Sequence, residues 1–163
     1  MAISFILLLS RQGKVRLAKW FATHSDREKA KAVREISTLV LGRKKGACAF
    51  VEWKDQTLVY RRYASLYFVF ATPSSHYDNP LITLEIMHRY VQTLDAYFGN
   101  VCELDIVFGF EKAYLLLDEM FIAGELAEAG RRAAVQAVKD MEREEERDHV
   151  RDIERSLRDS GFI

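Results

Sequence analysis

From Ile3 to Leu9 the chain is apolar on both alternating faces, the pattern of a strand covered on both sides. Ser10 to Lys14 is a short glycine-containing connection, so a hairpin is predicted, with its return strand over Val15 to Ala22. There Val15, Leu17 and Phe21 alternate with Arg16, Ala18 and Trp20, which places Arg16 on the face of Trp20. Ser25-Asp26-Arg27-Glu28 is a capping box, in which Ser25 and Glu28 satisfy each other's free backbone donors. The helix it starts carries Ala30, Val33, Ile36 and Val40 on one face and stops at Gly42, before the basic turn Arg43 to Gly46. Three strands follow closely, Ala47 to Trp53, Thr57 to Arg62 and Ser65 to Ala71, with Arg61 and Arg62 on opposite sheet faces.

After a polar loop, Thr72 to Asn79, Pro80 suits a first helical turn. Pro80 to Gly124 then reads as two helical runs hinged at Gly99-Asn100. In the first, Leu84, Met87, Val91, Leu94 and Phe98 form one apolar stripe, and Ile82, Ile86, Tyr90 and Tyr97 form a second beside it. A surface helix needs one stripe, so two imply burial between layers or against another chain. The second run is apolar nearly all round: Leu104, Val107, Tyr114 and Phe121 face one way, and Ile106, Phe110, Ala113, Leu117 and Met120 cover most of the rest. A third helical region carries Ala133, Ala137 and Met141, then charges from Glu142 to His149, then a narrow stripe of Val150, Ile153 and Leu157. Two strands, a helix, three strands and then helices read as an α+β domain, a five-stranded antiparallel sheet between helices.

Composition adds size and compartment. The 163 residues are about one domain, and 49% hydrophobic content suffices for a sizeable core. The apolar start lacks a basic leader and a small-residue cleavage site, and it is too short to span a bilayer. Cys48 and Cys102 lie in apolar predicted elements without metal spacing, so both are expected reduced and buried, as in a cytosolic chain. The formal net charge is zero, yet the chain to Ala64 has 14 Lys/Arg against 5 Asp/Glu, and the rest has 10 against 19. Early elements facing an anionic partner, or faces that cancel in space, would both give that division.

Candidate chemistry is sparse. No glycine-rich phosphate loop, nucleophile elbow or His-Glu-x-x-His motif occurs. His24, His76, His88 and His149 lie far apart on different elements, so a structural or surface role is expected for His88. Glu103 and Asp105 sit together at a helix start, where acids complement the helix dipole. The aromatics Tyr60, Tyr63, Tyr67 and Phe68 alternate like core strand residues, against a nucleic-acid platform. Arg16 is open to two readings: a sheet charge with its stem over Trp20, or a contact for a carboxylate or phosphate.

Five segments resemble one family, the small (sigma) subunits of heterotetrameric clathrin adaptor complexes. They are Ser10 to Leu17 with Lys19-Trp20, Val59 to Phe68, Leu84 to Val91, Asn100 to Asp105, and Asp118 to Phe121. The Ser10 to Lys14 hairpin, the Phe50 to Trp53 strand and the charged C-terminal helix are most similar to the trans-Golgi and endosomal type, adaptor protein complex 1. The resemblance implies a longin-like domain over 1–125 with a helical extension over 126–163, no enzymatic activity and no cofactor. It implies as partners a gamma-type and a beta-type large subunit, a medium (mu) subunit, and, through the complex, clathrin and an Arf-type GTPase. Nucleic acid is not among them, nor is a transmembrane segment expected. The implied place is cytoplasmic, peripheral on Golgi membranes and clathrin-coated vesicles, in transport between trans-Golgi network and endosomes. The implied ligands are acidic dileucine signals in cytosolic tails of membrane proteins. Carried over residue by residue, their site comprises Ala64 and Leu66 on the fifth strand, Val91 on the following helix, and Asn100, Val101, Leu104 and Ile106 around the hinge. Arg16 would meet the acidic residue upstream of the leucines. The alternative is a free-standing longin domain that regulates membrane fusion or tethering, whose usual continuation is a SNARE helix. Glu144 to Arg147 interrupts any sustained heptad stripe of that kind.

Overall fold

The computed structural model describes residues 2–74, 79–127 and 130–163. Strands β1 (Phe5–Ser10), β2 (Val15–Trp20), β3 (Phe50–Trp53), β4 (Gln56–Tyr63) and β5 (Leu66–Pro73) form one antiparallel sheet in the order β2-β1-β5-β4-β3. Strand alternation divides the core. Phe5, Leu7 and Leu9 face one layer with Leu58, Val69 and Ala71, while Ile6 and Leu8 face the other with Val59, Phe68 and Phe70. β1 lies between β2 and β5 and is buried along its whole length, as its doubly apolar sequence requires.

Helix α1 (Asp26–Leu41) covers the first layer through Ala32, Ile36 and Val40. It links the two edge strands, and 16 residues extend about 24 Å, enough to cross four strand spacings of about 4.8 Å each. The capping box forms as expected: Ser25 N–H donates to Glu28 Oε2 at 2.8 Å, and Glu28 N–H donates to Ser25 Oγ at 3.3 Å. Ala30, expected inward, is exposed, and Ala32 takes the buried position.

The second layer holds α2 (Pro80–Phe98), α3 (Glu103–Phe108), α4 (Phe110–Met120) and α5 (Arg131–Asp159), with a two-stranded ribbon of β6 (Phe121–Ile122) and β7 (Glu125–Leu126) before α5. The predicted loop from Thr72 is shorter than expected at its start, because Thr72 and Pro73 end β5; residues 75–78, including His76, lie outside the described residues. Asn79 caps α2 by accepting from Leu81 N–H at 3.0 Å, and Pro80 takes the first turn. The expected first stripe packs inward through Met87, Val91 and Leu94, whereas in the second Tyr90 is buried and Ile82 is exposed.

The hinge is real in its backbone: Gly99 and Asn100 both take left-handed φ values, 69° and 58°. The single helical run expected after it is two helices. They break at Gly109, where a Cβ would stand 2.8 Å from both the Asp105 carbonyl oxygen and the Phe98 ring. The ribbon likewise interrupts the helices expected around Gly124.

Helix α5 docks through Ala134, Val135 and Val138, not through Ala133, Ala137 and Met141. Its face is fixed from outside the helix. The Tyr97 hydroxyl donates to Glu142, and Lys112 Nζ lies 3.5 Å from the same carboxylate, tying α5 to α2 and α4. Burial raises the Tyr97 pKa well above the usual phenol value, and the Glu142 bond adds to the rise. From residue 143 onward the helix is exposed, with acid–arginine pairs such as Asp148 to Arg151 at 3.5 Å along it. The two cysteines correct an expectation: both are exposed. β3 starts only at Phe50, which leaves Cys48 in the connection between the basic turn and β3, and Cys102 precedes α3.

Candidate functional site

The corner where β2, the β4–β5 turn and α3 meet is built around one carboxylate. β2 is a sheet edge, and its register with β1 slips between Leu8, which opposes Leu17, and Leu9, which opposes Val15. Arg16 is the extra residue of that bulge, and a bulge re-aims its side chain. Strand alternation is broken there, so Arg16 does not share the face of Trp20, which packs with Phe5 on the α1 side. It turns to α3 instead. Its Nε donates to Glu103 Oε1 at 2.9 Å, and Ser65 Oγ donates to Glu103 Oε2 at 3.1 Å. Arg16 thus packs neither over Trp20 nor against open solvent, and its partner is a carboxylate of the same chain.

Neighbouring bonds fix this corner. The Tyr114 hydroxyl accepts from Ala18 N–H at 3.0 Å and donates to the Ala18 carbonyl at 2.9 Å, closing the open edge of β2. Lys19 reaches Asp118 at 2.9 Å, so α4 is fastened to the same strand. In the β4–β5 turn Ala64 takes a left-handed φ of 53°, and Arg62 Nε donates to its carbonyl at 3.0 Å. Ala64 is therefore a turn residue rather than part of the fifth strand. Both Arg61 and Arg62 are exposed, so neither charge is buried. Tyr63 approaches His88 Nδ1 at 3.3 Å, and Gln92 approaches its Nε2 at 3.0 Å, which accounts for His88 as a structural residue. Burial raises the Tyr63 pKa, and the Arg61 charge opposes that rise.

The apolar residues expected in the site divide into two groups. Leu66, Val91 and Ile106 are buried in the core cluster of the α2 layer. Leu104 is 63% exposed, Ala64 and Asn100 are exposed, and Val101 is half-buried. The hinge is held by Val101 N–H donating to Asp95 Oδ1 at 2.9 Å and Cys102 N–H donating to Asp105 Oδ2 at 3.0 Å. Phe108, one helical turn beyond Leu104, is 84% exposed. The corner thus offers a guanidinium in a short ion pair beside an exposed apolar helix face. Glu103 and Ser65 were not expected in it. Glu103 had a sufficient explanation as a dipole-matching acid, and only its place in a family-like segment beside Asn100 and Val101 pointed further. Among the described residues no three metal-ligating side chains converge, and no helix is long and apolar enough to cross a membrane.

Residues 2–145 match the family described as clathrin adaptor complex small chain. The chain belongs to that family. This small chain is 56% identical over 138 residues to the human AP-1 complex subunit sigma-3, covering 85% of this chain and 88% of that protein. It is 53% identical over 152 residues to the AP-1 complex subunit sigma-1 of Schizosaccharomyces pombe, with 93% of each covered. Its fold matches a chain in a homology model of the full-length AP-3 complex in a stretched open conformation, with a TM-score of 0.68 and 20% identity over 91% of this chain and 98% of that one. The longin-like architecture, a five-stranded antiparallel sheet between helices, is the one expected. The family is a component of clathrin-coated vesicle traffic rather than an enzyme family, and membership in it removes the free-standing fusion regulator. The match also runs twenty residues beyond position 125, through the turns of α5 that enter the core of this small chain.

Proposed function

We propose that this chain is the sigma subunit of an AP-1-type complex, a non-enzymatic part that carries cargo between trans-Golgi network and endosomes on Golgi and coated-vesicle membranes. Its partners in this reading are a gamma-type and a beta-type large subunit and a mu subunit, with clathrin and an Arf-type GTPase engaged through the complex. Identity above 50% to AP-1 sigma subunits over most of both chains supports the route. The exposed Phe108 at the end of α3 suits cover by a large subunit. The extension over 126–163 docks by its first turns and leaves the rest of α5 free for contacts outside this chain.

The observation that carries cargo binding is the placement of Arg16, paired with Glu103, beside the exposed Leu104 of α3. Arg16 takes the acidic residue of a dileucine signal. Leu104, Val101 and Ala64 form the accessible rim for the leucines, Asn100 sets the hinge, and Leu66, Val91 and Ile106 back the rim from the core. The magnitudes suit a sorting coat. Each buried leucine contributes about 1.5–3 kcal/mol, and a half-screened acid–arginine contact about 1 kcal/mol or less. Ordering a flexible tail offsets several kcal/mol of this, and attachment of many complexes to one membrane restores occupancy through effective concentration.

Affinity isolation of the tagged chain followed by peptide binding tests the reading. Recovery with gamma-type, beta-type and mu chains is expected, and Leu104→Asp should keep that assembly while losing at least tenfold in affinity for an acidic dileucine peptide, about 1.4 kcal/mol. An isolated monomer would refute the assembly, and unchanged affinity in the variant would refute the site.

A further inference from the structure

We propose that Glu103 is an internal competitor for Arg16 that sets how strongly this chain reads the acid of a sorting signal. The inference rests on the binding role given to Arg16 above. Both Glu103 oxygens are engaged before any ligand arrives, Oε1 by Arg16 Nε at 2.9 Å and Oε2 by Ser65 Oγ at 3.1 Å. The ion pair is accessible, with the two side chains 28% and 24% exposed, so a second carboxylate can approach the guanidinium.

That approach has two outcomes. Either Glu103 releases Nε to the ligand, or two carboxylates share one guanidinium and repel each other. Both weaken an acidic ligand relative to a chain with a neutral residue at this position, and neither affects a ligand carrying an amide instead. Glu103 therefore narrows the difference between acidic and neutral signals, and it keeps Arg16 balanced when the site is empty.

The test uses the assembled adaptor complex with Glu103→Gln, which keeps side-chain length and an oxygen for Arg16 but removes the charge. The probes are two synthetic peptides with a leucine pair and either Glu or Gln upstream, titrated at low and high salt. The Glu peptide should gain roughly two- to fivefold in affinity at low salt, the range of a partly exposed charge contact. The gain should shrink at high salt, and the Gln peptide should not change. Glu103→Ala, which removes the carboxylate without touching Arg16, should give a gain in the same direction and decides the matter alone if Glu103→Gln does not assemble. Unchanged or weaker binding of the Glu peptide to either variant, with the wild type binding normally, would overturn the competitor and leave the signal site standing. Failure of wild type and variants alike to bind the Glu peptide would overturn both.

Discussion

Val91→Asp separates the backing of the site from its rim. Family likeness places Val91 among the residues that meet the leucines, yet it is 4% exposed in the cluster with Met87, Tyr90, Leu94 and Ile106. Replacing it removes a buried valine, about 1.5–3 kcal/mol, and puts an unpaired carboxylate in its place, about 3–5 kcal/mol if it stays charged. The sum, roughly 5–8 kcal/mol, compares with the whole 5–15 kcal/mol stability of an ordinary domain. Expression with the partner subunits should therefore yield little assembled complex, and urea unfolding of what is recovered should show a large fall in midpoint. Leu104→Asp, at a position 63% exposed, should stay within about 0.5 kcal/mol of wild type in the same assay. Wild-type yield and midpoint for Val91→Asp would refute the placement of Val91 in the core.

Gly124→Ala tests the ribbon that precedes α5. Gly124 has φ +82°, and a Cβ there would stand 2.3 Å from the Ile3 carbonyl oxygen, while Ile3 N–H donates to the Gly124 carbonyl at 2.8 Å. Left-handed backbone alone costs about 1–2 kcal/mol and the clash adds to it, so a fall in melting temperature of about 4–8 °C is expected, with no change pointing to a different approach of β1 to the ribbon. The alkaline limb of stability tests the tyrosines. Burial raises both Tyr90 and Tyr97, the latter also through Glu142, so the folded state keeps protons that the unfolded state releases above its ordinary value near 10. Their stabilising contribution is complete below about pH 10 and is lost as pH rises through the folded values. Tyr97→Phe should flatten that loss and speed hydrogen exchange in α5 relative to β1; an unchanged slope and unchanged exchange would count against the clamp.

The layered sheet was legible because its signal is periodic. Phe5, Leu7 and Leu9 against Ile6 and Leu8 fix two faces without reference to any partner, and the Ser25 box and Pro80 mark helix starts by local hydrogen bonding alone. Where docking decides the answer, the pattern slipped by one or two residues. Ala30 and Ala133 are apolar and small enough to sit on either side, so Ala32 and Ala134 took the buried positions once the helices met the sheet and α4. Gly109 was the missed break, because a glycine among apolar helix formers carries no sign of the Phe98 ring that excludes a side chain there.

The proposed site could be read from the sequence as a set of residues and not as an arrangement, for a single physical reason. Its geometry depends on departures from regular structure that periodicity averages away: the bulge that turns Arg16 from the Trp20 face to α3, the left-handed turn at Ala64, and the left-handed pair at Gly99 and Asn100. The same departures explain why the apolar backing is closed in the lone chain. Leu66, Val91 and Ile106 in water would each forfeit about 1.5–3 kcal/mol, so a stable subunit covers them and leaves Leu104 exposed on a six-residue helix bounded by the hinge and Gly109. A cation balanced by Glu103 follows the same rule, since an exposed apolar recess and an unpaired arginine would both invite indiscriminate partners. On the proposed reading of the site, selectivity comes from ligands that supply the acid and the apolar pair together, because either alone meets a surface already satisfied.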